Sequence, residues 1–280
     1  MSTLPVNPMR TVSAVILAAM VWVPAVATAQ APAYRRSAAD TLWYQEASRA
    51  TIDVTTPQGD INVRSRTDAK IAVTFGVADT ARAWYDELSI SAESPQGQQA
   101  PTTDEVLRQP FLLKLQSDGT LETLSTPPLP ESFQGVSDIA RQFDDFFVRL
   151  PDTPLTSGTA WTDTVRVNAA TSTGGRVSTE RISRYEVVGD SVIDGASAVV
   201  VRAAVRTQLN STGPSGMPET EMMSVLRGEE QGTFYFDAAA GRMLGRSQTG
   251  DLSGDLQFIG PEPVSLGQRI RYERTLRLLR

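Results

Sequence analysis

The chain has 280 residues, with 26 Lys and Arg against 32 Asp and Glu, a net charge of −6, and neither cysteine nor histidine. Without those two residue types, Ser-His-Asp and Cys-His catalysis, His- or thiolate-ligated zinc and disulfide bonds are excluded. The acidic balance argues against nucleic acid or an anionic membrane as the principal partner.

Arg10 precedes an apolar run from Val12 to Ala27 that Pro24 interrupts, and Ala27-Thr28-Ala29 supplies a small-x-small cleavage pattern. Residues 1–29 therefore read as a signal peptide cut after Ala29, with Met1 or Met9 as the start. The mature protein is expected to be periplasmic or secreted, with no transmembrane span after cleavage and no lipid anchor on an N-terminal Cys.

Residues 30–130 read as a first β-meander half. Tyr44, Ala50, Ile52 and Val54 share one face of a strand, and Pro57-Gln58-Gly59-Asp60 forms a turn. Ile61 and Val63, then Ile71, Val73, Phe75 and Val77, alternate with polar or small residues. Trp84, Leu88 and Ile90 follow at even spacing and are assigned to one face. Phe111, Leu113 and Leu115 lead through Ser117-Asp118-Gly119 into Leu121–Leu124, a short hairpin.

Residues 131–160 are expected to hold the one substantial helix and a Pro/Gly linker. Ile139, Phe143, Phe146, Phe147 and Leu150 fall on a stripe of 3.6-residue period, opposite Asp138, Arg141, Asp144, Asp145 and Arg149. Ser137 is the expected N-cap and Pro151 the stop, with Arg141–Asp145 and Asp145–Arg149 as i,i+4 pairs on the wet side.

Residues 161–280 read as a second half. Val199, Val201, Ala203, Val205 and Leu209 oppose Arg202, Arg206 and Gln208, and Asp194-Gly195 marks a turn. In the last strand, Ile270, Tyr272, Leu276 and Leu278 oppose Arg269, Arg271, Glu273, Thr275 and Arg277. The pattern strand, Gly turn, strand recurs at Phe111–Ser125 and Thr233–Ser247, which suggests two diverged copies of one unit, although any two meanders look alike.

The expected fold is mainly β with a minor α part: a curved antiparallel sheet or half-barrel, built from two similar β-meanders with one central amphipathic helix. An outer-membrane barrel is the structural rival, and charge on both faces of several strands argues against it. Pro154, Gly158 and Trp161, placed after a meander and a helix, resemble a recurrent element of an uncharacterised family of exported bacterial proteins known only as a domain of unknown function. More distantly, a helix laid on a curved sheet resembles the periplasmic lipoprotein-carrier fold. Those resemblances imply an envelope protein and no reaction.

The acidic doublets Asp86-Glu87, Asp104-Glu105, Asp144-Asp145 and Glu229-Glu230 do not make a facing carboxylate pair, because neighbouring strand residues point to opposite faces. Lys70 and Lys114 lie opposite apolar neighbours, as exposed residues do. No cofactor, metal or catalytic residue is expected, and the protein reads as a non-enzymatic envelope protein. Its expected partner is an apolar small molecule or lipid held in a groove between the sheet and the helix. The groove would be lined by Trp43, Phe75, Trp84, Phe111, Phe143, Phe146, Phe234 and Tyr272. The alternative is a structural or interaction module with a filled core. The sequence carries no signal for an oligomeric state.

Overall fold

The computed structural model describes residues 31–35, 40–77, 79–128, 143–170, 174–215 and 219–279. The proposed signal peptide and cleavage site lie outside them. The described residues form twelve strands: β1 (Thr41–Thr56), β2 (Gly59–Phe75), β3 (Thr80–Ser94), β4 (Gly97–Gln99), β5 (Phe111–Leu115), β6 (Leu121–Ser125), β7 (Ala160–Ala170), β8 (Arg176–Ile193), β9 (Ala196–Pro214), β10 (Glu221–Asp237), β11 (Arg242–Ile259) and β12 (Val264–Leu279). All pair antiparallel in one sheet, in the order β6-β5-β3-β2-β1-β12-β11-β10-β9-β8-β7, with β4 beside β3. Strands of both expected halves therefore lie in one sheet, and its seam is the pairing of the first strand with the last. The sheet is curved and open, since β6 and β7 end it without pairing to each other. It is not a closed barrel.

Local chemistry sets the hairpins. Asp194 and Gly195 both take positive φ, 49° and 78°, as the two-residue turn between β8 and β9 requires, and Gly59 at 125° closes β1 onto β2. Close strand contact has its own residues. At Gly228 and Gly254 a Cβ would collide with the backbone of the neighbouring strand, at Asp251 and Val225 respectively, so the strands approach this closely there only because the side chain is missing. Bulges also reset the alternation, between Lys70 and Ile71, Leu112 and Leu113, Val187 and Gly189, and Tyr235 and Phe236.

Even positions of β1 and β12 and odd positions of β9 form the inner face, which carries Tyr44, Leu278 and Val201. Its upper part holds the core, with Ile71, Tyr85, Phe111, Leu113, Phe234 and Phe236 all essentially buried. The cover over this core is not a helix. No helix occurs among the described residues, and 143–150 form one turn followed by an extended strap. The turn is closed by Phe146 N donating to Phe143 O at 3.2 Å, and Leu150 N then donates to Asp118 O at 2.7 Å. Ser137, Ile139 and the rest of 129–142 lie outside the described residues.

The helical stripe misleads because it would turn Asp145 to solvent. In the structure Asp145 points at the sheet beside Phe146, drawn by three arginines described below. Arg149 accordingly pairs with Asp163 at 2.9 Å and not with Asp145. The strap still buries Phe143, Phe146, Phe147, Val148 and Leu150, an upper bound of about 8–15 kcal/mol of apolar stabilisation. Tyr34 pins it from the N-terminal side, its hydroxyl donating to Val148 O at 2.9 Å and its ring edge-on to Phe147 and Phe236. At the other end, Trp161 Nε1 donates to Arg149 O at 3.0 Å while its ring stacks on Tyr185.

Burial pushes the phenols of Tyr34, Tyr44 and Tyr85 well up from their ordinary value. A raised folded pKa means that this stability is present below the unfolded value of about 10 and is lost as pH rises beyond it. In an alkaline titration, phenolate absorbance from these residues should appear only together with loss of the strand circular-dichroism signal. Ionisation near the ordinary value, with the strands intact, would show the core is looser than described.

Candidate ligand-binding site

The register divides the inner face into three bands. The top band is the aromatic core under the strap. Across the middle runs a belt of ionised groups contributed by five strands and the strap. Arg274 of β12 grips Glu46 of β1 with two hydrogen bonds, Nε to Oε1 at 2.9 Å and Nη2 to Oε2 at 3.1 Å. Its Nη1 donates to Asp145 Oδ1 at 3.3 Å. Arg181 of β8 donates to Asp145 Oδ2 at 2.6 Å and to Glu230 Oε2 of β10 at 2.8 Å. Arg246 of β11 donates to the Asp145 backbone O at 2.6 Å and lies 3.6 Å from its carboxylate. Thr207 of β9 and Gln248 of β11 also donate to Glu230, and Gln248 reaches the Tyr272 hydroxyl at 3.3 Å.

Three arginines thus meet three carboxylates, and the belt is neutral. Glu46 is fully enclosed and Glu230 nearly so. Burial works to raise the Asp145 carboxyl, but Arg246, Arg181 and Arg274 outweigh it and hold it well below the carboxylate range. Burial likewise works against charge on Arg181 and Arg274, and their carboxylates more than compensate. On Arg246 burial and the neighbouring Arg274 prevail, and its pKa is lowered.

Below the belt the third band is apolar. One cross-strand row reads Val63, Ile52, Ile270 and Leu252. The next includes Ile61, Val54, Leu226, Leu209 and Val167, and beyond it lie Leu266, Leu256 and Val177. Leu226 and Leu252 are buried and the others half-buried, yet none belongs to the core cluster. Strands of 11 to 19 residues run well past the strap, which is why this band exists. From β2 to β7 it crosses seven inter-strand gaps of about 4.8 Å, roughly 34 Å in all.

The expected groove residues are split among these places. Phe111, Phe143 and Phe146 are packed together in the aromatic core, and Phe75 and Phe234 are buried in the same cluster, Phe234 edge-on to Trp161 and Tyr185. Tyr272 stands on the inner face at the belt, over Gly250. Trp43 and Trp84 are on the other face, edge-to-face at 6.3 Å, with Lys70 Nζ 4.7 Å from the Trp43 ring. There Lys70 pairs with Asp86 at 2.9 Å. That outer face also has a trough of about 720 Å³, lined by Arg49, Glu229, Asp251, Arg271 and Glu273. Cross-strand pairs such as Arg49–Glu273 and Arg269–Asp251 already engage its charges. Beneath the strap, where a groove was expected, the aromatic rings leave a cavity of about 80 Å³. Pockets for drug-sized ligands run to ~300–1,000 Å³.

Glu46, Arg181, Glu230, Arg246 and Arg274 were overlooked as a group. Each is a charged residue at an inner-face position of its strand, and that parity was the signal.

No family model and no curated protein matches the chain. Among solved structures it is similar to lipovitellin, in a structure concerned with lipid–protein interactions, at 13% identity and a TM-score of 0.48. That match takes in 86% of this chain and only 25% of lipovitellin. It is also similar to Neisserial surface protein A, at 9% identity and TM-score 0.24 over 85% of this chain and 97% of that one. A putative outer membrane lipoprotein-sorting protein domain from Vibrio parahaemolyticus gives 7% and 0.18, over 84% and 85% of the two chains. Likeness at this level assigns no ligand and no activity.

Glu46→Gln takes the closest carboxylate from the buried Arg274 and leaves it only the longer contact to Asp145, so it should destabilise the protein by about 3 kcal/mol. The double substitution Glu46→Leu with Arg274→Met should recover most of that loss in urea denaturation. A double variant as unstable as the sum of its parts would contradict the pairing.

Proposed function

We propose that the protein is a non-enzymatic carrier of an apolar, lipid-like ligand, working outside the cytoplasm, and that the ligand lies on the lower inner face below the ion belt. The observation that carries this reading is the half-buried apolar band itself. It combines Ile52, Val54, Ile61, Val63, Leu256 and Ile270 on one continuous surface while the core cluster lies elsewhere. Contiguous apolar surface of this kind is a recognised mark of a ligand or partner site. The Arg10–Ala29 pattern supports export. Charged groups matched in ion pairs suit a recognition surface better than a catalytic one, where an ionisable group is held ready to change state.

The filled-core alternative has its own support, because the cavity beneath the strap is small and the aromatic rings there interlock. The neutral probe N-phenyl-1-naphthylamine decides between them. It should bind the folded protein saturably, and Val54→Ser with Leu256→Ser should weaken binding by about tenfold or more, since each removes buried apolar contact. Trp43→Ser, on the opposite face, should leave binding unchanged. Absence of saturable binding would favour the filled-core module.

A further inference from the structure

The two ends of the sheet are unlike each other. β6 has five residues and runs into Thr126-Pro127-Pro128, so brevity and proline blunt that edge. β7 has eleven residues in unbroken register with β8, and neither Pro nor Lys interrupts it. Among the described residues its backbone makes no backbone hydrogen bond outside the β7–β8 ladder. Long edges are usually protected, because their unpaired N–H and C=O groups template another strand.

Only the upper part of β7 carries such protection. Asp163 lies on the inner face and pairs with Arg149 of the strap at 2.9 Å, while Trp161 Nε1 donates to Arg149 O at 3.0 Å. An inward charge of this kind discourages an added strand. From Thr164 to Ala170 the inner face carries half-buried Val165, Val167 and Ala169, and the outer face carries exposed Thr164, Arg166, Asn168 and Ala170. Arg166 is held from behind the edge by Glu180 of β8, at 2.6 Å.

A two-fold axis normal to the sheet pairs two copies of one strand antiparallel and keeps both inner faces on the same side. Inner-face residues must then meet inner-face residues. Centred on Thr164 or Val165, such a pair would set Asp163 against a valine of the other copy. Centred on Arg166, it would oppose two guanidinium groups. Centred on Val167, it opposes Val167 to Val167, Val165 to Ala169 and Arg166 to Asn168, with Asp163 outside the pair and no charge facing its like. The lower part of β7 is therefore its own complement, which favours a second copy over an unrelated strand.

We propose that the protein associates as a two-fold dimer through β7, centred on Val167, so that two sheets join into one and their lower apolar bands meet. This contact follows from the edge alone and is independent of the carrier reading. Sedimentation of the protein between about 1 and 200 µM should show a monomer–dimer equilibrium, as suits an interface of less than standard size. Because the chain has no cysteine, one introduced thiol reports one position. Spin labels on Val167→Cys should couple strongly in the dimer, since directly opposed Cβ atoms lie ~5 Å apart. Labels on Thr249→Cys, exposed on β11 and four strands in from the edge, should not couple. Asn168→Arg, facing Arg166 of the other copy twice over, should weaken the dimer about tenfold, and Asn168→Glu should tighten it by a similar factor. Asn168 is exposed, so neither substitution disturbs the fold, and unchanged melting of the dilute monomer checks this. A monomer throughout the concentration range, or a dimer whose labels at 167 stay apart, would overturn the proposal. Equal effects of the two charges at 168 would overturn it as well.

Discussion

Asp145 among Arg181, Arg246 and Arg274 is the contact on which the arrangement depends. A strap with five buried apolar side chains could slide over an apolar sheet, because hydrophobic contact is non-directional. A carboxylate that must meet three guanidinium groups on β8, β11 and β12 has one place to go. Ion pairs of this kind add little net stability once desolvation is counted, but they specify register. Fixing the strap there closes the aromatic core on one side of the belt and leaves the apolar band on the other.

That division needs an unusual sheet. Strands of about five or six residues are the norm, and β8 to β11 each have 17 to 19. One short strap cannot cover such lengths. At Gly228 and Gly254 the neighbouring strand lies where a side chain would stand, and Leu226 and Leu252 nearby are buried outside the core cluster. The outer face needs no cover, since charged residues such as Arg49, Arg269, Arg271 and Glu273 occupy it.

Period-two alternation made the β-rich class, the inner faces of β9 and β12 and the turns at Gly59 and Asp194-Gly195 legible in the sequence, because each depends only on neighbouring residues. Trp84 was misplaced for a specific reason. The register passes from Lys70–Glu87 to Ile71–Tyr85, so Asp86 is an extra residue, and a one-residue bulge reverses every later side chain. Trp84 and Tyr85 therefore exchange the faces that even counting from Leu88 assigns them. The helix was misread because Phe143, Phe146, Phe147 and Leu150 keep helical spacing even though Asp145 takes part in burial too. A local period cannot register partners that lie 36 to 129 residues away. The belt itself was half legible: Arg274 breaks the apolar run of Ile270, Tyr272, Leu276 and Leu278 at an inward position, and Glu46 does so after Tyr44.

The apolar band below the belt is proposed to be a ligand site and not merely open apolar surface. Native mass spectrometry of the protein purified from its own cells, without detergent, tests it most directly. A mass excess corresponding to a lipid-sized apolar molecule, released on denaturation, is expected. A spectrum showing only the bare chain, from protein that also refuses such a molecule when it is supplied, would contradict it.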